Sequence, residues 1–243
     1  MRQYNLLIVD DPDNIKRIEN CLQDRPCATQ SASCGMAALK IMKNTDIDIL
    51  ISRLELVDIN GLAMYKAMKD QKPDMHCILI ADSTCRMDTE ECHRLKLINR
   101  CSDMDTIPDH VNLLISQIQK KQRAQKKVLI VEDTKSLLLT QLKMLKIIGF
   151  SDIVTANNGN QAIKLLSEMT SPPDLVISDW YMPEKNGLEL LQWLQSHNSL
   201  NTIPFIMATS KKEAMMAIDK GADHFLIKPY DIEMIQKAID RVL

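Results

Sequence analysis

Long apolar runs are missing from this sequence. Nowhere do 18 or more apolar residues follow one another, so no membrane-spanning helix is expected. A surplus of charge is missing too. Lys and Arg number 30 against 32 Asp and Glu, a formal net charge of -2, so neither nucleic acid nor an anionic membrane surface is an expected partner. Only four apolar residues separate Asn5 from Asp10, too few for a secretion signal. A disulfide framework is also absent. The seven cysteines (Cys21, Cys27, Cys34, Cys77, Cys85, Cys92 and Cys101) are odd in number and irregularly spaced, which points to a reducing, cytoplasmic setting. No Cys-x-x-Cys occurs, yet His76-Cys77 and Cys92-His93 are adjacent pairs. Two readings stand: a thiol or metal sensor, or small hydrophobes packed in a core. The fifteen methionines are read as core filling.

What is present is a repeat. Leu7-Ile8-Val9-Asp10-Asp11 recurs as Leu129-Ile130-Val131-Glu132-Asp133. Gly35, Ala38 and Lys40 recur as Gly159, Ala162 and Lys164. Asp48 to Leu62 aligns without gaps on Asp174 to Leu188, with 6 of 15 residues identical. A period of this size is far longer than a solenoid unit, so each copy is a domain. The expected division is residues 1–120 and 128–243, joined by a short helical linker over 121–127. The wider stretch Gln117 to Lys127 has no Pro or Gly and is rich in helix formers.

In the second copy, Val128–Val131, Ile153–Ala156, Leu175–Ser178, Phe205–Ala208 and Phe225–Ile227 are short, apolar and partly β-branched, as buried parallel strands are. Amphipathic stretches alternate with them: Leu137, Leu138, Leu142 and Leu145; then Leu188, Leu191 and Leu194; then Ile232, Ile235, Ile239 and Val242. Five βα units predict an α/β fold, an open doubly wound parallel sheet in each copy. Ligands of such sheets bind at the carboxyl ends of the strands. There the second copy carries Glu132 and Asp133, then Asp179, Thr209 and Lys228-Pro229. Three carboxylates repel one another unless a cation joins them. Mg²⁺ suits two or three carboxylates, waters and a phosphate oxygen. The set fits a carboxylate nucleophile accepting a phosphoryl group, with metal and lysine stabilising the transferring oxygens.

This order of residues resembles the receiver domain of two-component response regulators (CheY-like). Ser178-Asp179-Trp180-Tyr181-Met182-Pro183-Glu184-Lys185-Asn186-Gly187-Leu188 is similar to that family's phosphoacceptor loop, and the resemblance spans the second half. It implies flavodoxin-like (βα)5 domains with strand order 2-1-3-4-5. It implies Asp179 as phosphoacceptor from a sensor histidine kinase or phosphotransfer protein. It implies Glu132, Asp133, Asp179 and the Tyr181 backbone carbonyl as Mg²⁺ ligands. Thr209 and Phe225 become the pair that moves on phosphorylation, and the peptide before Pro229 becomes cis. No enzymatic turnover beyond self-phosphorylation and self-dephosphorylation is implied. A haloacid-dehalogenase-like phosphatase also uses an Asp nucleophile, but it carries an acid two residues on, where this chain has Tyr181. Tyr181 and Lys211 flank the path of the hydrolytic water in the family. The phenol either shields the phosphoryl group or is a loop side chain without kinetic effect.

The first copy keeps the scaffold and loses the chemistry. Asp10 and Asp11 remain, but Arg53 stands where Asp179 does. Asp82 or Ala81 replaces Thr209, Asn99-Arg100 replaces Lys228-Pro229, and Lys96 replaces Phe225. Arginine stays charged and accepts no phosphoryl group. Either Arg53 pairs with Asp10 and Asp11 in place of Mg²⁺, or it turns to solvent. Mg²⁺ is therefore expected in the second domain only, with a regulatory or interaction role for the first. By analogy with the family, the downstream partner, or a second copy in a homodimer, would bind Lys211 to Leu243, which includes Met215-Met216, or equally the exposed side of the first domain. Three settings remain open. One is a signalling protein acting through a partner. Another is the regulatory part of a longer protein, such as a diguanylate cyclase. The third is a scaffold independent of phosphorylation.

Overall fold

A computed structural model describes residues 3–80 and 104–243. The chain divides into two compact units, Arg2–Gln117 and Ile118–Leu243. In the first, β1 (Tyr4–Val9), α1 (Pro12–Leu22), β2 (Cys27–Ala32), α2 (Gly35–Asn44), β3 (Ile49–Arg53), α3 (Gly61–Gln71) and β4 (His76–Ile80) follow in turn. The described strands pair in parallel in the order β2-β1-β3-β4. A 3-10 turn (Met104–Thr106) leads into α4 (Ile107–Arg123). Any fifth strand of this copy, and the positions Asp82, Lys96, Asn99, Arg100, Cys85, Cys92 and Cys101, lie outside the described residues.

The second unit contains β5 (Lys127–Val131), α5 (Lys135–Ile148), β6 (Asp152–Ala156), α6 (Gly159–Glu168), β7 (Leu175–Asp179), α7 (Gly187–Gln195), β8 (Phe205–Thr209), α8 (Ala214–Asp219), β9 (His224–Ile227) and α9 (Ile232–Val242). Its sheet has the order β6-β5-β7-β8-β9, which is 2-1-3-4-5 counted within the domain, all parallel. Alternate residues of β5 face opposite sides. Val128 and Ile130 pack with Leu145, Ile235 and Ile239, whereas Leu129 and Val131 pack with Leu166, Leu190 and Leu194. Both sheet faces are covered, which is why the strands are apolar runs rather than alternating ones.

The division between the units falls inside α4, not after residue 120. The end of α4 belongs to the second unit: Arg123 is buried, and its Nη1 donates to the Ile148 carbonyl at 3.2 Å while Nη2 pairs with Asp240. Helix ends at Arg123, so the last four residues of the expected helical linker are not helix.

Two expectations about packing fail. Leu137 is exposed, and Gln141 takes the buried place beside Leu145 and Ile148. The methionines are not all core: Met64, Met68 and Met75 are buried, but Met36, Met215, Met216 and Met234 are exposed. Among the described cysteines, Cys77 is buried in the first core, and burial pushes its thiol well above the ordinary value. Burial also raises the Cys27 thiol. Both are poor sources of thiolate. No helix among the described residues is long and apolar enough to cross a membrane.

Candidate functional site

The acids of the second domain converge because two neighbouring parallel strands, β5 and β7, end at one level. Glu132 and Asp133 follow β5, and Asp179 closes β7. One carboxylate oxygen from each lies within 4.8 Å of the others. Glu132 is fully buried, and both its oxygens accept hydrogen bonds. Its Oε1 accepts from the Thr134 N–H at 3.3 Å, and its Oε2 accepts from Gln141 Nε2 at 3.1 Å and Lys228 Nζ at 3.0 Å. Lys228 reaches the site from the loop after β9, and its Nζ also lies 2.7 Å from Asp179 Oδ2. Burial alone would lower the Lys228 ammonium, but its bonds to Asp179 and Glu132 outweigh burial and hold it above the ordinary value. The peptide between Lys228 and Pro229 is cis.

Thr209 ends β8. It is buried, and its Oγ1 has no hydrogen-bond partner. Its carbonyl accepts from the Lys228 N–H at 2.9 Å, and since buried hydroxyls are nearly always paired, an open one at this strand end leaves a place for another oxygen. Phe225 is partly buried on β9, in register with Met207 of β8. Tyr181 is largely exposed, and its hydroxyl donates to Glu213 Oε1 at 3.0 Å, which raises the phenol above its ordinary value. That bond ties the loop after β7 to the residue that opens α8.

The donor set is chemically suited to a hard divalent cation. All three acids offer oxygen, and the single ammonium offsets one of the three negative charges. It is the one group of three or more metal-competent side chains found this close among the described residues, and no Cys or His joins it.

The first domain uses the same positions differently. Asp11 caps α1: its Oδ1 accepts from the N–H groups of Asp13 and Asn14 at 3.2 and 3.0 Å. Asn14 Nδ2 donates to Asp10 Oδ1 at 3.1 Å and Asp11 Oδ2 at 2.8 Å. Arg53 Nη1 lies 3.4 Å from Asp11 Oδ2 and 3.9 Å from Asp10 Oδ1, on the acids rather than turned away from them. The Asn14 and Asp13 N–H bonds, the adjoining Asp10 and the Arg53 charge together hold Asp11 below its ordinary value, whereas burial raises Asp10 against its own bonds. Asp133 has no capping duty: α5 begins after Thr134, whose Oγ1 donates to Asp133 Oδ1 at 3.2 Å.

Neither Gln141 nor Asn14 stood out in the sequence as a site residue. The signal for Gln141 was a polar residue on an otherwise apolar helix face. Asn14 had only its place three residues after an acidic pair.

A 2-1-3-4-5 parallel sheet with clustered acids, a lysine touching two of them and a buried open hydroxyl defines the receiver class of α/β domain. The chain belongs to the response regulator receiver domain family, whose model matches residues 6–99 and 128–240. It is similar to the chemotaxis protein CheY1 of Helicobacter pylori, 29% identical over 120 residues, which cover 48% of this chain and 96% of that protein. It is also similar to a probable chemotaxis protein CheY of Rhizobium etli, 34% identical over 119 residues, which cover 48% of this chain and 91% of that protein. Among solved structures it resembles the receiver domain of a signal transduction histidine kinase from Syntrophus aciditrophicus. There the identity is 32%, the TM-score is 0.45, and the match covers 49% of this chain and 89% of that one. Receiver domains are typically signalling domains without an enzymatic turnover of their own. They bind Mg²⁺ at an acidic pocket and work with histidine kinases or phosphotransfer proteins and with downstream targets.

Proposed function

We propose that the second domain is the phosphorylatable receiver of this chain and that Asp179 takes the phosphoryl group. The carrying observation is Lys228, whose ammonium touches Asp179 and Glu132 together, beside the open hydroxyl of Thr209. Asp179 is the outermost acid that Lys228 still holds. A free carboxylate oxygen attacks phosphorus in line, and the bond from phosphorus to the donor's imidazole nitrogen breaks. The nitrogen keeps the electron pair and takes a proton. Lys228 balances charge on the transferring oxygens, and the Thr209 hydroxyl gains the acceptor it lacks. Glu132, Asp133, Asp179 and the Tyr181 carbonyl would hold Mg²⁺, which when bound neutralises the same oxygens.

The donor is a histidine kinase or phosphotransfer protein, in the cytoplasm. Movement of Thr209 would pass along β8 to Phe225 on β9 and so to the α8–β9–α9 face. Met215 and Met216 are exposed there, as a target or a second copy would require. The first domain would be a metal-free partner-binding or regulatory unit. In it Arg53 supplies the cation and no carboxylate stands at the acceptor position. Acetyl phosphate with Mg²⁺ should add one phosphoryl mass to the full chain and none to Asp179→Ala. Labelling of Asp179→Ala at the wild-type rate would refute the assignment.

A further inference from the structure

Gln141 lies on the buried face of α5, in line with Leu145 and Ile148. The matching place in the first domain is apolar. There α1 starts at Pro12 as α5 starts at Lys135, and six residues on stand Ile18 and Gln141, both buried. An amide is a poor choice for packing alone. Its Oε1 is buried without a partner, and an unmet acceptor lowers stability.

What the amide does is donate. Its Nε2 reaches Glu132 Oε2 at 3.1 Å, and the same amide hydrogen-bonds the Tyr230 phenol. Its orientation is set by chemistry, since a carbonyl turned toward the carboxylate would put acceptor against acceptor. Glu132 Oε2 also accepts from Lys228 Nζ at 3.0 Å, and that ammonium pairs with Asp179 as well. Lys228 is thus divided between two acids, whereas Gln141 holds Glu132 alone of the three. The first domain has no such arrangement. Asp10 Oδ1 accepts from Asn14 Nδ2 and the Asp11 N–H, and Asp10 Oδ2 is buried without a partner.

We infer that Gln141 is a positioning residue of the acidic site: by holding Glu132 Oε2 it keeps that carboxylate aimed, with Asp133 and Asp179, at a divalent cation. The inference rests on the reading of this site as a Mg²⁺ site, not on phosphoryl transfer to Asp179. Groups that orient a ligand from behind it change metal affinity by about 10–100-fold when lost. Without the amide, Glu132 Oε2 has only Lys228. The ammonium is then drawn away from Asp179 and competes with the cation for Glu132.

Mn²⁺, a hard divalent ion that electron paramagnetic resonance counts while free, is titrated into the full chain. The binding that counts is what Asp133→Asn removes. Gln141→Met, close in shape but without a donor, should weaken it about tenfold, and Gln141→Leu serves if that variant does not fold. A Glu132→Asp background separates orientation from packing. One methylene shorter, its carboxylate falls short of Gln141, so adding Gln141→Met should change affinity by less than about twofold. Equal losses in both backgrounds would make Gln141 a packing residue and overturn the inference, as would unchanged affinity in Gln141→Met alone. A wild type with no Mn²⁺ binding sensitive to Asp133→Asn would sink the metal-site reading and this inference with it. Failed labelling of Asp179 beside the expected Mn²⁺ results would sink only the phosphoryl reading.

Discussion

Gly187 opens α7 against the strand that ends at Asp179, the proposed phosphoacceptor. A Cβ added there would lie 2.1 Å from the Asp179 carbonyl oxygen and 2.9 Å from Met207 Sδ. The sulfur can turn aside, but the carbonyl is backbone and its strand is paired on both sides by β5 and β8. Gly187→Ala therefore has to part α7 from β7 by about 1 Å, since ordinary contacts are that much longer. Overpacking of a tight core costs about 1–3 kcal/mol, and a backbone neighbour puts this case near the top. With a urea dependence of about 1.5–2 kcal/mol per molar, the unfolding midpoint should fall by about 1.5 M. Both tryptophans, Trp180 and Trp193, are in the second domain, so tryptophan fluorescence reads that domain's transition. A displacement of that size at the acceptor should also slow labelling by acetyl phosphate about 100-fold. Gly61→Ala is the control. Its Cβ would meet the Arg53 carbonyl at 2.2 Å, the same clash in the other domain. It should leave the tryptophan transition and the labelling as they were, while lowering the stability seen by circular dichroism. A tryptophan midpoint unmoved by Gly187→Ala, or labelling slowed equally by both variants, would refute the reasoning.

Lys228→Ala should abolish labelling measured by intact mass. It should also lower the stability read by tryptophan fluorescence by about 1–3 kcal/mol, because buried Glu132 loses its cation. Tyr181→Ala removes a phenol that is hydrogen-bonded to Glu213, and phosphate loss, followed by mass after removal of donor, should quicken; an unchanged decay would leave Tyr181 as a loop side chain. Arg123→Met should destabilise the second domain, not the first, by about 2–4 kcal/mol, because Asp240 and the Ile148 carbonyl lose a buried donor. Asp58 accepts from the Gly35 and Met36 N–H groups, bonds that hold its carboxyl below the ordinary value. Its unfolded pKa is about 3.9 and its folded value is lower, so its stabilisation is complete above pH 4 and fades as pH falls through the folded value. The stability gap between wild type and Asp58→Ala, by urea titration at several pH values, should therefore narrow below about pH 4.

The strands were legible because a parallel sheet covered on both faces leaves runs such as Val128-Leu129-Ile130-Val131, bounded by acids at the functional end. The acids were legible because the repeat aligned them. The face of α5 was not. Leu137, Leu138 and Leu139 are consecutive, so period alone leaves the buried side of this turn undecided. What fixes it is Gln141, turned inward to the Glu132 carboxylate just after β5, and that contact is invisible in a linear pattern. The capping duty of Asp11 was hidden for a similar reason. Asp10-Asp11 and Glu132-Asp133 look equivalent, but Pro12 starts α1 at once, whereas Thr134 stands between Asp133 and α5.

That difference carries more of the contrast between the domains than Arg53 does. In the first domain Asp11 is committed to two backbone N–H groups, both acids are bonded by Asn14, and Arg53 lies against Asp11 Oδ2, while Asp10 Oδ2 is buried without a partner. In the second domain Asp133 makes no cap, and Asp179 and Thr209 keep open valence toward the same space. A metal and a phosphoryl group need oxygens that the fold has not already used. On the proposed reading the two copies differ in the third acid, Arg53 against Asp179, and in the helix-capping duty that Asp11 carries and Asp133 does not. On that reading the first domain keeps the receiver scaffold, and any surface it offers a partner, while Arg53 and the capped Asp11 keep a phosphoryl group out of its pocket.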